Sequence, residues 1–307
     1  MLNSPELLFN EQTAKSAAKR AMQCRACGAN DTRPFLRDRD RQLWRCSKCR
    51  LLFVFPQPSA QQLDAEFQEG YFGREANRLE TDFERYRRPV LAQIAGQIHE
   101  KKLSGRLLDV GCASGELFTY FPDQRWQLCG VEPSRLALQR AKNRFGSDPR
   151  VALLNGYLHD LASAQSWDVI TILESLYYMP HPLGELTRVS RVLADDGLLL
   201  ISVPGPQYQR LRHLGIVSRV ATGRSCSLTR SHLYYFSEAS LTALLKAAGL
   251  VIMDKIPLVS PEYGGRLGNF FRRSYVAAAK VIRAVTFRQV DLSLHVLYLC
   301  RKANSPK

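Results

Sequence analysis

The chain has 307 residues, 45% of them apolar, which allows about two globular domains with an ordinary core. No run of about 18 apolar residues occurs, and Met1-Leu-Asn-Ser-Pro-Glu6 lacks the basic start and apolar stretch of a secretory leader, so a cytoplasmic protein without a membrane-crossing helix is expected. Lys and Arg number 43 against 28 Asp and Glu, and the net charge of +15 favours anionic partners: nucleic acid, an anionic membrane surface or phosphate-bearing molecules.

Residues 1–23 form an extension with few core signals, in which Glu11–Met22 reads as a short helix rich in Ala and Lys. Residues 24–55 carry Cys24-Arg-Ala-Cys27-Gly28 and Cys46-Ser-Lys-Cys49, with 18 residues between Cys27 and Cys46. Two such turns can set Cys24, Cys27, Cys46 and Cys49 tetrahedrally around one zinc ion. Four protein ligands leave no open coordination position, so the zinc would be structural. A redox pair is the alternative, but no thioredoxin-like unit surrounds either pair. Arg50 stands where such a knuckle favours glycine, so the second turn is expected to be less regular than the first.

Residues 56–100 read as a helical connector. Phe83, Tyr86, Val90, Ile94 and Ile98 recur at helical spacing over 83–99, and a further helix starts near Ser59.

From 101 to 204 the chain alternates strands (106–110, 126–132, 151–155, 168–173, 197–203) with helices (115–121, 133–145, 182–194 and a short one near 158–165). The alternation predicts an α/β fold with a parallel sheet covered on both faces and a site at the carboxyl ends of its strands. Asp109, Glu132, Tyr157 and Glu174 fall there. After the first strand, Gly111 and Gly115 bracket a turn that also holds Cys112, Ala113 and Ser114. Glycines let a backbone approach a ligand closely, and the helix start that follows offers unpaired N–H groups. Glu132 lies 23 residues after Asp109, about the interval at which a second-strand acid meets a ribose hydroxyl pair.

Residues 205–237 contain Arg210, Arg212, Arg219, Arg224 and Arg230 with His213 and His232. This basic insert either closes over an anionic substrate or is a solvated loop. A helix over 238–250 and a strand over 251–259 follow. Residues 266–288 interleave Phe270, Phe271, Tyr275, Val281, Ile282 and Val285 with arginines and Lys280, and either pack on the domain or lie on an anionic membrane. His295–Arg301 reads as the last strand.

Taken together, these blocks resemble the class I S-adenosylmethionine (SAM)-dependent methyltransferases. Leu108-Asp-Val-Gly-Cys-Ala-Ser-Gly115 is similar to their motif I and Val131-Glu-Pro-Ser134 to their second-strand acid. The likeness continues through Trp167–Glu174, Leu176–Pro182, Arg191–Pro204, His232–Leu241 and Ala247–Leu250. Cys46–Pro58 followed by Tyr71-Phe72 resembles a bacterial subgroup with an N-terminal zinc-ribbon-like module, often linked to methylation of sugars, glycans or small metabolites. The resemblance implies a Rossmann-like domain over 101–260 with a mostly parallel seven-stranded sheet, whose last strand, within 261–307, is antiparallel to six parallel ones.

The resemblance further implies SAM as methyl donor. Gly111, Cys112, Ala113 and Gly115 would hold its methionine part, and Asp109 would support that loop. Glu132 would accept the ribose hydroxyls, Pro133 and Leu158 would sandwich the adenine beside Tyr157, and Tyr71 and Arg85 are candidates for covering the cofactor. For catalysis it points to His232, Glu174 and Tyr178, with Tyr177 and His181 as alternatives; Tyr178 stands where the family commonly carries His. The acceptor would be a small molecule, sugar, glycan or lipid-linked compound with an anionic handle. RNA methylation, or a non-catalytic scaffold or membrane adaptor, are the competing functions, and the oligomeric state is left open.

Overall fold

The computed structural model describes residues 23–38, 41–65, 67–68, 76–161, 165–213, 232–259, 266–287 and 289–304. Its centre is a seven-stranded sheet built on β4 (Gly105–Val110), β5 (Trp126–Glu132), β6 (Val151–Asn155), β7 (Trp167–Leu173), β8 (Leu193–Pro204), β10 (Leu250–Pro257) and β11 (His295–Lys302). The strand order is β10-β11-β8-β7-β4-β5-β6. β8, β7, β4, β5 and β6 run parallel, while β11 lies antiparallel between β8 and β10, as the resemblance implies. The inner strands are continuous apolar runs because both of their faces are covered: Val169, Ile170, Ile172, Leu199, Leu200 and Ile201 are wholly buried.

Helix α2 (Ala76–Lys101) is longer than the periodicity predicts and packs one face, Leu91, Ile94, Ala95 and Ile98, into the core. Helices α3 (Arg135–Phe145), α4 (Pro182–Val192) and α6 (Glu238–Ala247) fall where the periodicity puts them; α1 (Ala60–Ala65) and α5 (Pro206–His213) are short. The helix expected over 115–121 is a single 3-10 turn, Glu116–Tyr120. Leu117, Phe118 and Phe121 are all buried, and Phe121 packs 4.9 Å from Trp126 between ring centroids. Pro122 disfavours a helical residue before it, so the chain turns there instead of continuing.

A second, antiparallel sheet joins β1 (Thr32–Asp38), β2 (Arg41–Cys46), β3 (Leu52–Val54) and β9 (Tyr234–Tyr235). Its fourth strand comes from the segment after the basic insert: Tyr235 pairs with Leu52 and Tyr234 with Phe53. Side chains reinforce the joint, with Ser237 Oγ donating to the Cys49 carbonyl at 2.6 Å and Tyr234 Oη to the Pro180 carbonyl at 2.7 Å. Leu51 and Phe53 share one hydrophobic cluster with Leu233, Phe236, Leu241 and Leu244. The cysteine module therefore has a common core with the α/β body.

The Glu11–Met22 helix, Tyr71, and Arg219, Arg224 and Arg230 of the insert lie outside the described residues, as do the side chains of Arg85, Arg210, Arg212 and His213.

Candidate functional site: a two-ended cleft at the carboxyl edge of the sheet

The strand ends open into a cavity of about 490 Å³. One end is lined by Gly111, Ala113, Glu132, Pro133, Tyr157 and Leu158; the other by Glu174, Tyr177, Tyr178, His232, Arg272 and His295. Asp109, Cys112 and Gly115 stand behind the first end. Thr171 Oγ1 donates to Asp109 Oδ1 at 2.7 Å, and burial pushes the Asp109 carboxyl up to about 6. The Cys112 thiol is buried against Gly130, where an added Cβ would lie 2.5 Å from its sulfur, so only the backbone of Cys112 is available to a ligand. Gly115 turns the chain at φ +75°.

Gly111 shows why this loop needs glycine: its φ is +79°, and a Cβ would stand 2.9 Å from the Ser175 Cβ. Ala113 adopts φ +49° without being glycine, and its N–H donates to Glu132 Oε2 at 2.9 Å. The other Glu132 oxygen accepts the Ser134 N–H at 2.8 Å. Burial pushes Glu132 up to about 7, against these backbone bonds, which favour its charged form. Each carboxylate oxygen keeps a second lone pair for a ligand hydroxyl. Arg87, on α2, also lines the cavity, lies 3.7 Å from Glu116 and supplies positive charge to Asp109 and Glu132. The sequence reading passed over Arg87, although it precedes Val90, Leu91 and Ile94 at spacings that share their helix face.

At the second end Glu174 closes β7 in a left-handed conformation, φ +55°, with its N–H donating to Ser202 Oγ at 3.0 Å. Its Oε2 accepts the Tyr177 hydroxyl at 2.9 Å, and its Oε1 lies 3.2 Å from His295 Nδ1. Burial pushes the Glu174 pKa up, yet the charge of His295, helped by Tyr177 and Ser202, holds it below its ordinary value. Burial likewise pulls the His295 pKa down, and Glu174 more than compensates, leaving it raised. His232 instead sits among aromatic rings, 4.1 Å from Tyr177, 5.2 Å from Tyr178 and 5.6 Å from Tyr235 by centroid.

His295 is a further site residue that the sequence reading missed. The signal was present: an antiparallel strand starts where its parallel neighbours end, and His295 pairs with Pro204, the last residue of β8. The first residue of β11 is thereby brought to the edge where the site forms.

Away from the cleft, the sulfurs of Cys24, Cys27, Cys46 and Cys49 all lie within 4.8 Å of one another. Cys24 and Cys49 are 3.4 Å apart and Cys27 and Cys46 3.6 Å, against about 3.8 Å for sulfurs at the corners of a zinc–thiolate tetrahedron with bonds of about 2.3 Å. The donor set and its spacing fit that ion. The two knuckles match: Gly28 at φ +70° donates its N–H to the Cys24 carbonyl at 3.0 Å, and Arg50 at φ +63° donates to the Cys46 carbonyl at 3.0 Å. The second turn is thus as regular as the first, contrary to expectation, because Arg50 accepts the left-handed conformation that glycine would supply.

Comparison with known proteins agrees with this architecture. Residues 79–255 match the family model described as a methyltransferase domain. A tRNA U34 carboxymethyltransferase from Pseudoalteromonas atlantica is 30% identical over 109 residues, 34% of each chain. A ubiquinone biosynthesis O-methyltransferase from Aeromonas salmonicida is 24% identical over 158 residues, 48% of this chain and 64% of that one. The chain thus spans between about a third and two thirds of the length of these relatives. Magnesium protoporphyrin IX methyltransferase from Synechocystis superposes with a TM-score of 0.55 at 13% identity, covering 80% of this chain and all of its own, which shows the shared fold. With the family model covering more than half of its length, and a seven-stranded sheet of the class I SAM-dependent methyltransferase order, the chain belongs to the methyltransferase domain family.

Proposed function

We propose that the protein methylates a hydroxyl group of a small anionic acceptor, of the sugar, glycan or lipid-linked kind, with SAM as the donor and a structural zinc in its cysteine module. The observation that carries the reading is the Glu174–His295 pair at the acceptor end of the cleft, 3.2 Å apart and supported by Tyr177. SAM supplies an activated sulfonium methyl group. Glu132 would accept the ribose hydroxyls, the backbone of Gly111 and Ala113 would hold the methionine part, and Arg87 would offer a cation to its carboxylate. Pro133 and Leu158 give apolar surface to the adenine beside Tyr157.

A hydroxyl is a poor nucleophile until its proton leaves, so an oxygen acceptor needs a base where some amines do not. His295 turns Nδ1 toward Glu174, which leaves Nε2 to take that proton. The methyl group that SAM would supply would pass to the deprotonated acceptor oxygen, leaving the C–S electron pair on sulfur, and the imidazolium formed on His295 is stabilised by the Glu174 carboxylate. Arg272, which lines the same end, pairs with the acceptor's negative group. Tyr178 and His232, with Tyr177, wall the acceptor with rings.

The test is methyl transfer from labelled SAM to a panel of phenols, hydroxy acids, nucleotide sugars and amines, run with the His295→Gln and Glu174→Gln variants. His295→Gln is expected to lose about 10²- to 10³-fold in turnover while binding SAM like the parent. The parent rate should climb with pH through a value above the usual imidazole range, and Glu174→Gln should bring that value down, since the carboxylate is what holds it up. Transfer to amines alone, or full turnover in His295→Gln, overturns the reading.

A further inference from the structure

Helix α7 (Arg266–Val285) presents an apolar face to solvent. Phe270, Phe271, Val281 and Val285 are each between 61% and 68% exposed, and Phe287 just beyond the helix is 88% exposed. At about 100° per residue the four helical positions fall within an arc of about 100°. Ser274 and Ala278 lie inside the same arc and are exposed as well. The opposite side holds the helix on the body: Ala279 is buried, Tyr275 Oη donates to the Leu292 carbonyl at 2.7 Å, and Arg283 lies 3.4 Å from Asp291. The stripe is therefore not the face by which α7 packs on the body.

Charge identifies what covers it. The helix contains no Asp or Glu, and the exposed cations Arg273 and Lys280 flank one border of the stripe within about 60–80° of its edge. The chain as a whole carries +15. Apolar side chains at the crest with cations beside them match the two layers of an anionic lipid interface, acyl chains below and phosphates level with the arginine and lysine. We propose that the outer face of α7 lies in the plane of an anionic phospholipid surface. Among the described residues no helix is long and apolar enough to cross a membrane, and the proposed attachment through one apolar face of α7 is peripheral. Arg272, next to the exposed Phe271, lines the acceptor end of the cleft. Resting on the function proposed above, this places the mouth for a lipid-linked acceptor against the surface that carries it.

Flotation of the zinc-loaded, full-length protein with vesicles of phosphatidylcholine alone, or with 30 mol% phosphatidylglycerol, tests the proposal (~30%, chosen to give a strongly negative surface). The protein should float with the anionic vesicles and not with the neutral ones. The double variant Phe271→Ser/Val281→Ser should lose roughly tenfold or more in partitioning, and Arg273→Gln/Lys280→Gln should lose the anionic preference, as should high salt. SAM binding by each variant reports folding, since none of the four residues lines the cleft. Equal flotation of the stripe variant, no flotation of the parent, or a parent dimer that the same double variant dissociates would each overturn the proposal. The readout needs no turnover, so it fails or succeeds independently of the methyltransferase reading.

Discussion

Three residues other than glycine hold left-handed backbone where the chemistry is concentrated: Arg50 in the second knuckle, Ala113 in the cofactor loop and Glu174 at the end of β7. Such conformations cost about 1–2 kcal/mol for an L-residue, and their surroundings must hold them in place. At Arg50 the side chain is exposed, so the conformation can be relieved without loss. Arg50→Gly is expected to raise stability by about 0.5–1 kcal/mol, after the extra entropy of glycine is allowed for. Arg50→Val should lower it by more than that, because a branched Cβ tolerates this region worst. Thermal melts of the zinc-loaded variants check both; a melt lowered in Arg50→Gly would contradict the geometry. Glu132 gives a pH prediction. Its folded value of about 7 lies above the ordinary carboxylate, so the folded protein binds the proton more tightly than the unfolded chain. Its burial therefore costs stability increasingly as pH rises from about 4.5 toward 7. SAM, whose ribose favours the charged form, should bind more weakly as pH falls through about 7. Calorimetry across that range should show this slope in the parent and a flat profile in Glu132→Gln.

Between elements, the informative joint is β3 with β9. Two residues, Tyr234 and Tyr235, carry the second sheet into the segment that ends at α6, and His232 precedes them in the cleft. Leu233 N–H also donates to the Tyr177 carbonyl at 3.0 Å, which fixes His232 beside the Tyr177 ring. The cysteine module thus braces the Tyr177–His232 wall of the cleft as well as its own small core. Removing the metal with a chelator, or replacing Cys46 with Ser, should lower the melting temperature of the whole α/β body in one transition, not melt the module alone, and should reduce turnover more than SAM affinity. Two separated transitions in calorimetry would show that the shared core does not couple them. This joint was not legible in the sequence. A two-residue strand has no periodicity, and its partner lies about 180 residues earlier. The inner strands β4, β5 and β7 were legible because each is a largely buried apolar run ending before a turn signal or at an acid. His295 was overlooked because a search of carboxyl ends passes over the amino end of an antiparallel strand.

For the molecule as a whole, the order of motifs along 101–260 carried the fold and the Gly111–Glu132 end of the cleft, and the spacing within 24–49 carried the four cysteines, since each rests on local residues at fixed spacing. The acceptor end was less legible because its walls come from β7, β11, α7 and the segment before β9, elements distant in the chain. Part of the positive charge, unspecific in composition, acquires a location on α7 once the chain is folded. The proposed methyl transfer stands on SAM binding in this cleft through Glu132 and the Gly111–Gly115 loop. Calorimetric titration of the zinc-loaded protein with SAM, and with S-adenosylhomocysteine as the product, tests it most directly. Saturable binding at one site is expected for both ligands, weakened about ten- to a hundredfold in Glu132→Ala, as when a charge-assisted hydrogen-bond acceptor is removed. A folded, zinc-loaded protein that binds neither ligand, or a Glu132→Ala variant that binds SAM like the parent, would contradict it.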